Sequence, residues 1–502
     1  MSGTRAPPNV LLVVLDSVRA KNTSLLGHKR KTTPFLERFA DRATTYTRGY
    51  APSTESLASH ASLFSGLPVR AHGLTTSTGV TMTPRPDEEK FQLRPESTIW
   101  RELSEAGYAT AVFSNNPFLT ELPTGLPASF KTVVGRQHEL PVPDALDPRS
   151  STAGDSTGNG SVEKYISFLR DVATDSDPIG SLKNGVAFKL GQRLSGLPTV
   201  DSSARTYVDA FLEWQANRPE PWAACLNLMD AHQPYQAGPA PQWSSGALLD
   251  RLREPDDPVW EYVGGNRPLE ELRSFERAYD DAIRSIDAQL RRLVETLADR
   301  DELDRSLVVV TADHGEGFGE VSAVRPGRRV VGHSSGSVHD ALTHVPLVVK
   351  RPGQQTGRTV DRPASLTEFA DAVRRIRDDT ATEDTQLFVP TGEVVASTDG
   401  INEHMAELAA KYTDQEDIDV RLQPADAVYE ATGGDIVKHV TWGDRSGTVQ
   451  RDGSDRSVKR GGDAGRRVSA ALESIERADI LTRRRSDISE DVTSHLEELG
   501  YL

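Results

Sequence analysis

The stretch 306–319, SLVVVTADHGEGFG, passes from an unbroken apolar run into a carboxylate, an imidazole and three glycines. A run that is continuous rather than alternating predicts a strand buried on both faces, as in a parallel sheet covered by helices. Three other runs have the same form and also end in polar clusters: NVLLVVLDS at 9–17, YATAVFSNN at 108–116 and WAACLNLMDAH at 222–232. Helical patterns lie between them. In ELRSFERAYDDAIRSIDAQLRRLVETLADR, residues 271–300, the residues Phe275, Tyr279, Ile283, Ile286, Leu290, Val294 and Leu297 recur at helical spacing and lead into the 306–319 stretch. This alternation predicts an α/β fold, with a mixed, mostly parallel sheet flanked by helices. In such sheets ligands bind beyond the carboxyl ends of the strands, where Asp16, Asn115, Asp230, His232, Asp313 and His314 all fall.

Composition shifts mark the limits of this pattern. Between about 136 and 205 the chain turns to Ser, Gly, Pro and Asp (PDALDPRSSTAGDSTGNGS, 143–161), which predicts a flexible insertion with one amphipathic piece, VEKYISFLRDV, at 162–172. After HVPLVVKRPG, residues 344–353, come an acidic helical stretch, alternating runs such as DAVYEAT and DIVKHVTW, and a charged tail ending SHLEELGYL. The expected division is a catalytic region over 8–352 and a small C-terminal α+β subdomain over 353–502.

A formal charge of −16 and a pI near 5.3 argue against nucleic acid as a partner, and an anionic substrate would need a locally positive site. The acidity also fits a halophile's cytoplasm, the alternative being an ordinary acidic protein. Cys225 is the only cysteine, so neither an intrachain disulfide nor a cysteine-based zinc cluster can form. No run approaches the roughly 20 apolar residues of a membrane span, and the N-terminus lacks the features of a signal peptide. The expectation is a soluble, cytoplasmic protein.

Asp16, alone, reads as either a helix cap or a metal ligand. Asp313 and His314 are a sharper pair, leaving one strand end together beside permissive glycines. Oxygen donors with one imidazole suit a single divalent ion such as Mn²⁺, Mg²⁺ or Ca²⁺, with Zn²⁺ a poorer fit. A hydroxyl beside such an ion becomes a nucleophile, the role expected of Ser56.

Taken together, NVLLVVLDSVRA, TTPFLERFADRATTYTRGYAPS, SLASHASLFSGLPVRAHGL, DAHQPY, VVVTADHGEGFGE and GSVHDALTHVPLVV resemble, in order, the blocks of the sulfatase-like branch of the alkaline phosphatase superfamily, over roughly residues 8–352. The resemblance implies an alkaline-phosphatase-like fold, with Asp16, Asp313, His314 and Ser56 as metal ligands and Ser56 as the nucleophile. It implies that His232 and His333 contact the transferred group or protonate the leaving oxygen, and His232 is the one expected to protonate the leaving alkoxide. Read from the residues alone, His232 also fits a turn before Pro234, and His333 an ordinary loop histidine.

The chain departs from the family pattern at three places. Sulfate-ester members resemble C/S-x-P/A-x-R at the nucleophile, whose first residue is oxidised to formylglycine; this chain reads Ser56-Leu57-Ala58-Ser59-His60, with histidine in place of arginine. An unmodified serine favours phosphoryl chemistry. Ser17 stands where many members have a second aspartate, and FSNNPF stands where others have Lys-x-His. Asn115 and Asn116 then either donate to the anion or form an Asx-turn, while Arg19, Lys350 and His60 are the candidates for neutralising its charge, Arg19 reading equally as a solvated helix residue. His339 and His344 lie nearer the next strand and are expected to be structural. The expected function is metal-dependent hydrolysis of sulfuric or phosphoric esters on small molecules, glycans or lipids. The alternatives are transfer of a phosphoryl or alkyl-phosphate group to glycan or lipid intermediates, and a catalytically decayed binding protein.

Overall fold

The computed structural model describes residues 7–79, 89–136, 203–218, 221–244 and 258–485 except 334, 433, 453 and 454, with isolated positions between 172 and 183 and at 492 and 496. The chain divides into two units, Met1–Gly135 with Ser203–Leu502, and Arg136–Ser202. The expected insertion, with its amphipathic piece, and the SHLEELGYL end fall almost wholly outside the described residues.

The first unit is built on eight strands: β1 (Asn9–Leu15), β2 (Thr44–Tyr46), β3 (Ala109–Ser114), β4 (Thr132–Val134), β5 (Trp222–Leu228), β6 (Ser306–Thr311), β7 (Leu347–Lys350) and β8 (Arg358–Val360). They are ordered β8-β2-β7-β6-β1-β5-β3-β4. The four continuous apolar runs are the central strands β6, β1, β5 and β3, buried along their whole length and mutually parallel. Strand β7 runs antiparallel to both its neighbours, which makes the sheet mixed. The register pairs Leu15 with Leu228, Val14 with Thr311 and Ser114 with Asn227, so the residues that leave β1, β3, β5 and β6 emerge along one edge. The sheet continues past residue 352 through β8.

Among the helices are α1 (Ser56–Ser65), α2 (Ala204–Ala216), α3 (Leu272–Asp299) and α4 (Phe369–Arg377). Six of the seven periodic residues on α3 are buried, Phe275 being half-exposed. Burying a leucine such as Leu290 or Leu297 stabilises by roughly 1.5–3 kcal/mol, so this stripe fixes the helix despite its many charges. Its buried aspartates pin neighbouring chain: Asp287 accepts from Phe35 N and Leu36 N at 2.7 and 3.0 Å, and Asp280 takes Asn22 Nδ2 and Arg30 Nη1, both at 2.6 Å.

Toward the C-terminus, five antiparallel strands form a second sheet: β9 (Val394–Thr398), β10 (Ala425–Thr432), β11 (Asp435–Trp442), β12 (Arg445–Asp452) and β13 (Asp455–Arg460). In β11 every second residue is buried, as expected where one face is covered. Val468 and Ala471 of the following helix pack on Val395 and Val428, while Tyr429 and Val440 join Tyr50 and Val324 in a cluster with residues outside the sheet. Among the described residues no helix is long and apolar enough to cross a membrane.

Candidate active site

Loops leaving β1 and β6 carry two wholly buried carboxylates. Asp16 Oδ2 accepts hydrogen bonds from Asn227 Nδ2 at 2.9 Å and Asn116 Nδ2 at 3.1 Å. Its Oδ1 lies 3.2 Å from Ser17 Oγ and 3.9 Å from His314 Nε2. Asp313 Oδ1 accepts from His314 N at 3.0 Å and Ser17 N at 3.3 Å. Asp313 Oδ2 makes no hydrogen bond among the described residues and sits 3.5 Å from His314 Nε2. Ser17 reaches Asp313 from a left-handed conformation, φ 63°, a strained state for a residue with a side chain. Helix α3 braces it: Tyr279 Oη donates to Ser17 O at 2.7 Å and accepts from Arg19 N at 2.8 Å.

Ser56 opens α1, which ends at Gly66, whose φ of 78° only glycine adopts readily. Leu57, Ala61 and Phe64 anchor the helix in the core. Ser56 Oγ lies 3.2 Å from His314 Nε2. His314 Nδ1 donates to Gly315 O at 3.0 Å, which turns the Nε2 lone pair toward the serine and the carboxylates. Gly315 allows this bend, since a Cβ there would lie 2.1 Å from Ala341 O. One turn along α1, His60 Nδ1 donates to Ser56 O at 2.8 Å and stands 3.7 Å from Asp313 Oδ2. Its Nε2 makes no hydrogen bond among the described residues.

His232 and His333 complete the edge. The His333 ring centroid is 4.6 Å from that of His314 and 4.9 Å from that of His232. His232 Nδ1 donates to Gln233 O at 2.7 Å; burial, and then the neighbouring His333, pull its pKa below the ordinary imidazole value. Burial acts the same way on His333, but the Glu316 carboxylate 3.5 Å from its Nδ1, with Asp16 and Asp313, outweighs it and raises the pKa. Burial would raise Asp16, yet His232, His314 and the Asn227 bond hold it below the usual carboxylate range.

Asp16, Ser56, His60, Asn115, His232, Asp313, His314 and His333 are all buried or nearly so, and the contacts above tie them into one edge except Asn115, which follows β3 there with its Oδ1 unbonded among the described residues. Asn116 forms an Asx-type cap on Phe118 N at 3.0 Å while also serving Asp16. Lys350 corrects the sequence reading. Because β7 is antiparallel, its last residue pairs with Val308 rather than Thr311 and lies toward the opposite edge, where Nζ donates to Asp304 at 3.0 Å. It is therefore no substrate contact. Arg19 is neither solvated nor free for an anion, being buried between Glu276 and Glu320 at 2.6 Å each. His339 caps Ala341 N and His344 bonds Thr47 O, both in structural positions. Sequence reasoning missed Asn227, hidden inside an apolar run, and Glu316, present in the quoted DHGE but given no role.

Asp16, Asp313 and His314 each bring a ligand-type atom to within 4.8 Å of the others. Two carboxylates, one imidazole with a fixed tautomer and a hydroxyl suit a hard or borderline divalent cation, and Asp313 Oδ2, without a hydrogen bond among the described residues, is a buried oxygen that such an ion would satisfy.

The sequence model of the Sulfatase family matches residues 8–375. Arylsulfatase K of Canis lupus familiaris is 22% identical over 377 residues, covering 73% of this chain; the chain spans 62% of that relative's length. Among solved structures, the phosphonate monoester hydrolase of Agrobacterium radiobacter superposes with a TM-score of 0.53 at 17% identity, covering 89% of each chain. A phosphonate monoester hydrolase from Silicibacter pomeroyi gives 0.52 at 18% identity, covering 92% of each. At these identities the structural likeness establishes the fold, a mixed sheet of the alkaline-phosphatase-like kind.

Proposed function

The chain belongs to the sulfatase family, and from that premise we propose that it is a metal-dependent hydrolase of sulfuric or phosphoric esters whose nucleophile is the unmodified hydroxyl of Ser56. The observation that carries this reading is Ser56 Oγ at the N-terminus of α1, buried and 3.2 Å from His314 Nε2 beside two buried aspartates. A divalent cation held by Asp16, Asp313, His314 and Ser56 would supply the positive charge that lowers the hydroxyl's pKa and offsets the anionic group in transfer.

The chain's own residues account for the rest. The α1 dipole favours negative charge on Ser56 Oγ. Its attack forms an O–P bond as the bond to the leaving alkoxide breaks. His333, whose charge Glu316 supports, is assigned the proton that goes to that alkoxide. His232 has Nδ1–H committed to Gln233 O and a depressed pKa, so its Nε2 is assigned as the base that takes a proton from the water releasing Ser56. Asn115, whose buried Oδ1 makes no hydrogen bond among the described residues, is assigned the role of accepting from a donor on the substrate.

His60 in place of the family's arginine, with Nδ1 turned back to Ser56 O, favours phosphoric over sulfuric esters, because the formylglycine route loses its usual sequence context. The test is intact-peptide mass spectrometry across residue 56 together with turnover of 4-nitrophenyl phosphate, phosphonate and sulfate. An unmodified serine with phosphoester or phosphonate turnover supports the reading; formylglycine with sulfate turnover would replace it with a sulfatase proper.

A further inference from the structure

The chemistry above uses Glu316 only through the charge it lends His333, although it is wholly buried and neither carboxylate oxygen makes a hydrogen bond among the described residues. A buried carboxylate left so is costly, and structures keep one where it serves an adjacent group. Arg19 does not answer it: Nη1 donates to the Glu316 carbonyl at 3.0 Å, while the guanidinium charge is taken by Glu276 and Glu320. Glu316 Oε2 lies instead 3.5 Å from His333 Nδ1. The backbone on both sides is constrained. Gly332 turns at φ 63° immediately before His333, and a side chain there would meet Val259 Cγ2 at 2.7 Å. Gly315 sets the bend between His314 and Glu316.

We propose that Glu316 is the positioning residue of His333, its carboxylate accepting the Nδ1 proton so that Nε2 faces the reacting group beside His232 and His314. The inference rests on the hydrolysis proposed above. In that reaction the Nε2 proton passes to the leaving oxygen as its bond to phosphorus or sulfur breaks. The Nδ1 proton stays on the ring, shared with Glu316. Carboxylate–histidine pairs that set a ring's tautomer and aim in this way often read as long contacts before substrate binds.

The experiment uses the full chain loaded with calcium. Glu316→Gln is expected to lower kcat roughly 10- to 100-fold on an alkyl phosphate but less than about 3-fold on 4-nitrophenyl phosphate, whose leaving group needs no proton, with KM and calcium affinity held within about 2-fold. In a His333→Ala background the same substitution is expected to change kcat less than about 2-fold. Equal losses on both esters, a loss additive with His333→Ala, or weakened calcium binding would overturn the assignment. ¹⁵N spectra of histidine-labelled wild-type protein test it without any variant: a protonated His333 Nδ1 is expected, and a bare Nδ1 overturns it. Wild-type protein inactive on every ester with that Nδ1 still protonated overturns the proposed hydrolysis and leaves the Glu316–His333 pair standing.

Discussion

At one edge of the large sheet, Lys350 Nζ reaches Asp304 at 3.0 Å and Asn9 Nδ2 reaches Glu302 at 2.7 Å. At the other edge, only a strand's length away, Asp313 Oδ2, both Glu316 carboxylate oxygens and His60 Nε2 make no hydrogen bond among the described residues. The core between them is the same set of parallel strands. Folding alone selects the first arrangement, since a buried polar group without a partner costs more than its hydrogen bond returns. Persistence of the second at the strand ends marks groups held for something that enters from outside, which on the function proposed above is a cation and an anionic ester.

Substitutions at the open edge give the largest effects. Asp313→Asn is expected to abolish measurable divalent-cation binding in a calorimetric titration and to cut turnover by about 10³-fold or more. With the cation chelated, the same change removes a buried carboxylate whose Oδ2 has no hydrogen bond among the described residues, so the melting temperature should rise, by the equivalent of roughly 1–3 kcal/mol. A chelated variant that melts lower than wild type would show that the edge is not strained and break the contrast. Ser56→Ala is expected to cost a similar factor in turnover while leaving cation affinity within a few-fold. Cation affinity lost as completely as in Asp313→Asn would make the lost turnover an effect of the metal and leave the nucleophile role of Ser56 without support.

What could be read in advance follows the same division. Continuous apolar runs name buried strands whatever their neighbours are, so β1, β3, β5 and β6 were legible, and with them the shared edge bearing Asp16, Asp313 and His314. Strand direction is not written in composition. LVVK resembles the other runs, yet β7 lies antiparallel and carries Lys350 toward the closed edge. Asn227 was hidden because a single polar residue in an apolar strand gains meaning only from register, which sets it beside Val14 and Ser114 and so within reach of Asp16. Glu316 needed the hairpin Gly317–Val321 with Arg329–Gly332, which returns the chain to His333; the 28-residue helix α3 was legible as a helix, but not as the brace of Ser17.

The contrast also divides two histidines near opposite ends of α1. His60 Nε2 at the open edge makes no hydrogen bond among the described residues, whereas His72, beyond the C-terminus of α1, has both nitrogens engaged: Nδ1 accepts from Leu74 N at 3.0 Å and Nε2 donates to Ser62 Oγ at 2.8 Å. Burial pushes the His72 pKa down to about 4, and protonation would break the bond from Leu74. Between the unfolded value of 6.5 and about 4 the folded chain therefore binds fewer protons than the unfolded one. Its contribution is complete above pH 6.5 and is lost as pH falls, by roughly 3 kcal/mol in all. Denaturant melts across this window should slope accordingly, and His72→Gln should flatten the slope; an unchanged slope would show that His72 is protonated in the fold.

Lys350→Met is expected to give the smallest effect and tests the closed edge directly. The methionine fills the stem's volume, while Asp304, whose side chain is 60% exposed, returns to water. What is lost is the donation to Asp304 and to Arg351 O at 3.2 Å. Burial already lowers the lysine's pKa, so removing its charge recovers part of that cost. The balance is a loss of about 1 kcal/mol in urea unfolding. kcat, KM and cation affinity should stay at wild-type values, because the ammonium points away from Ser56 by the length of β7. A selective rise in KM for anionic esters would return Lys350 to the substrate and undo the distinction between the two edges.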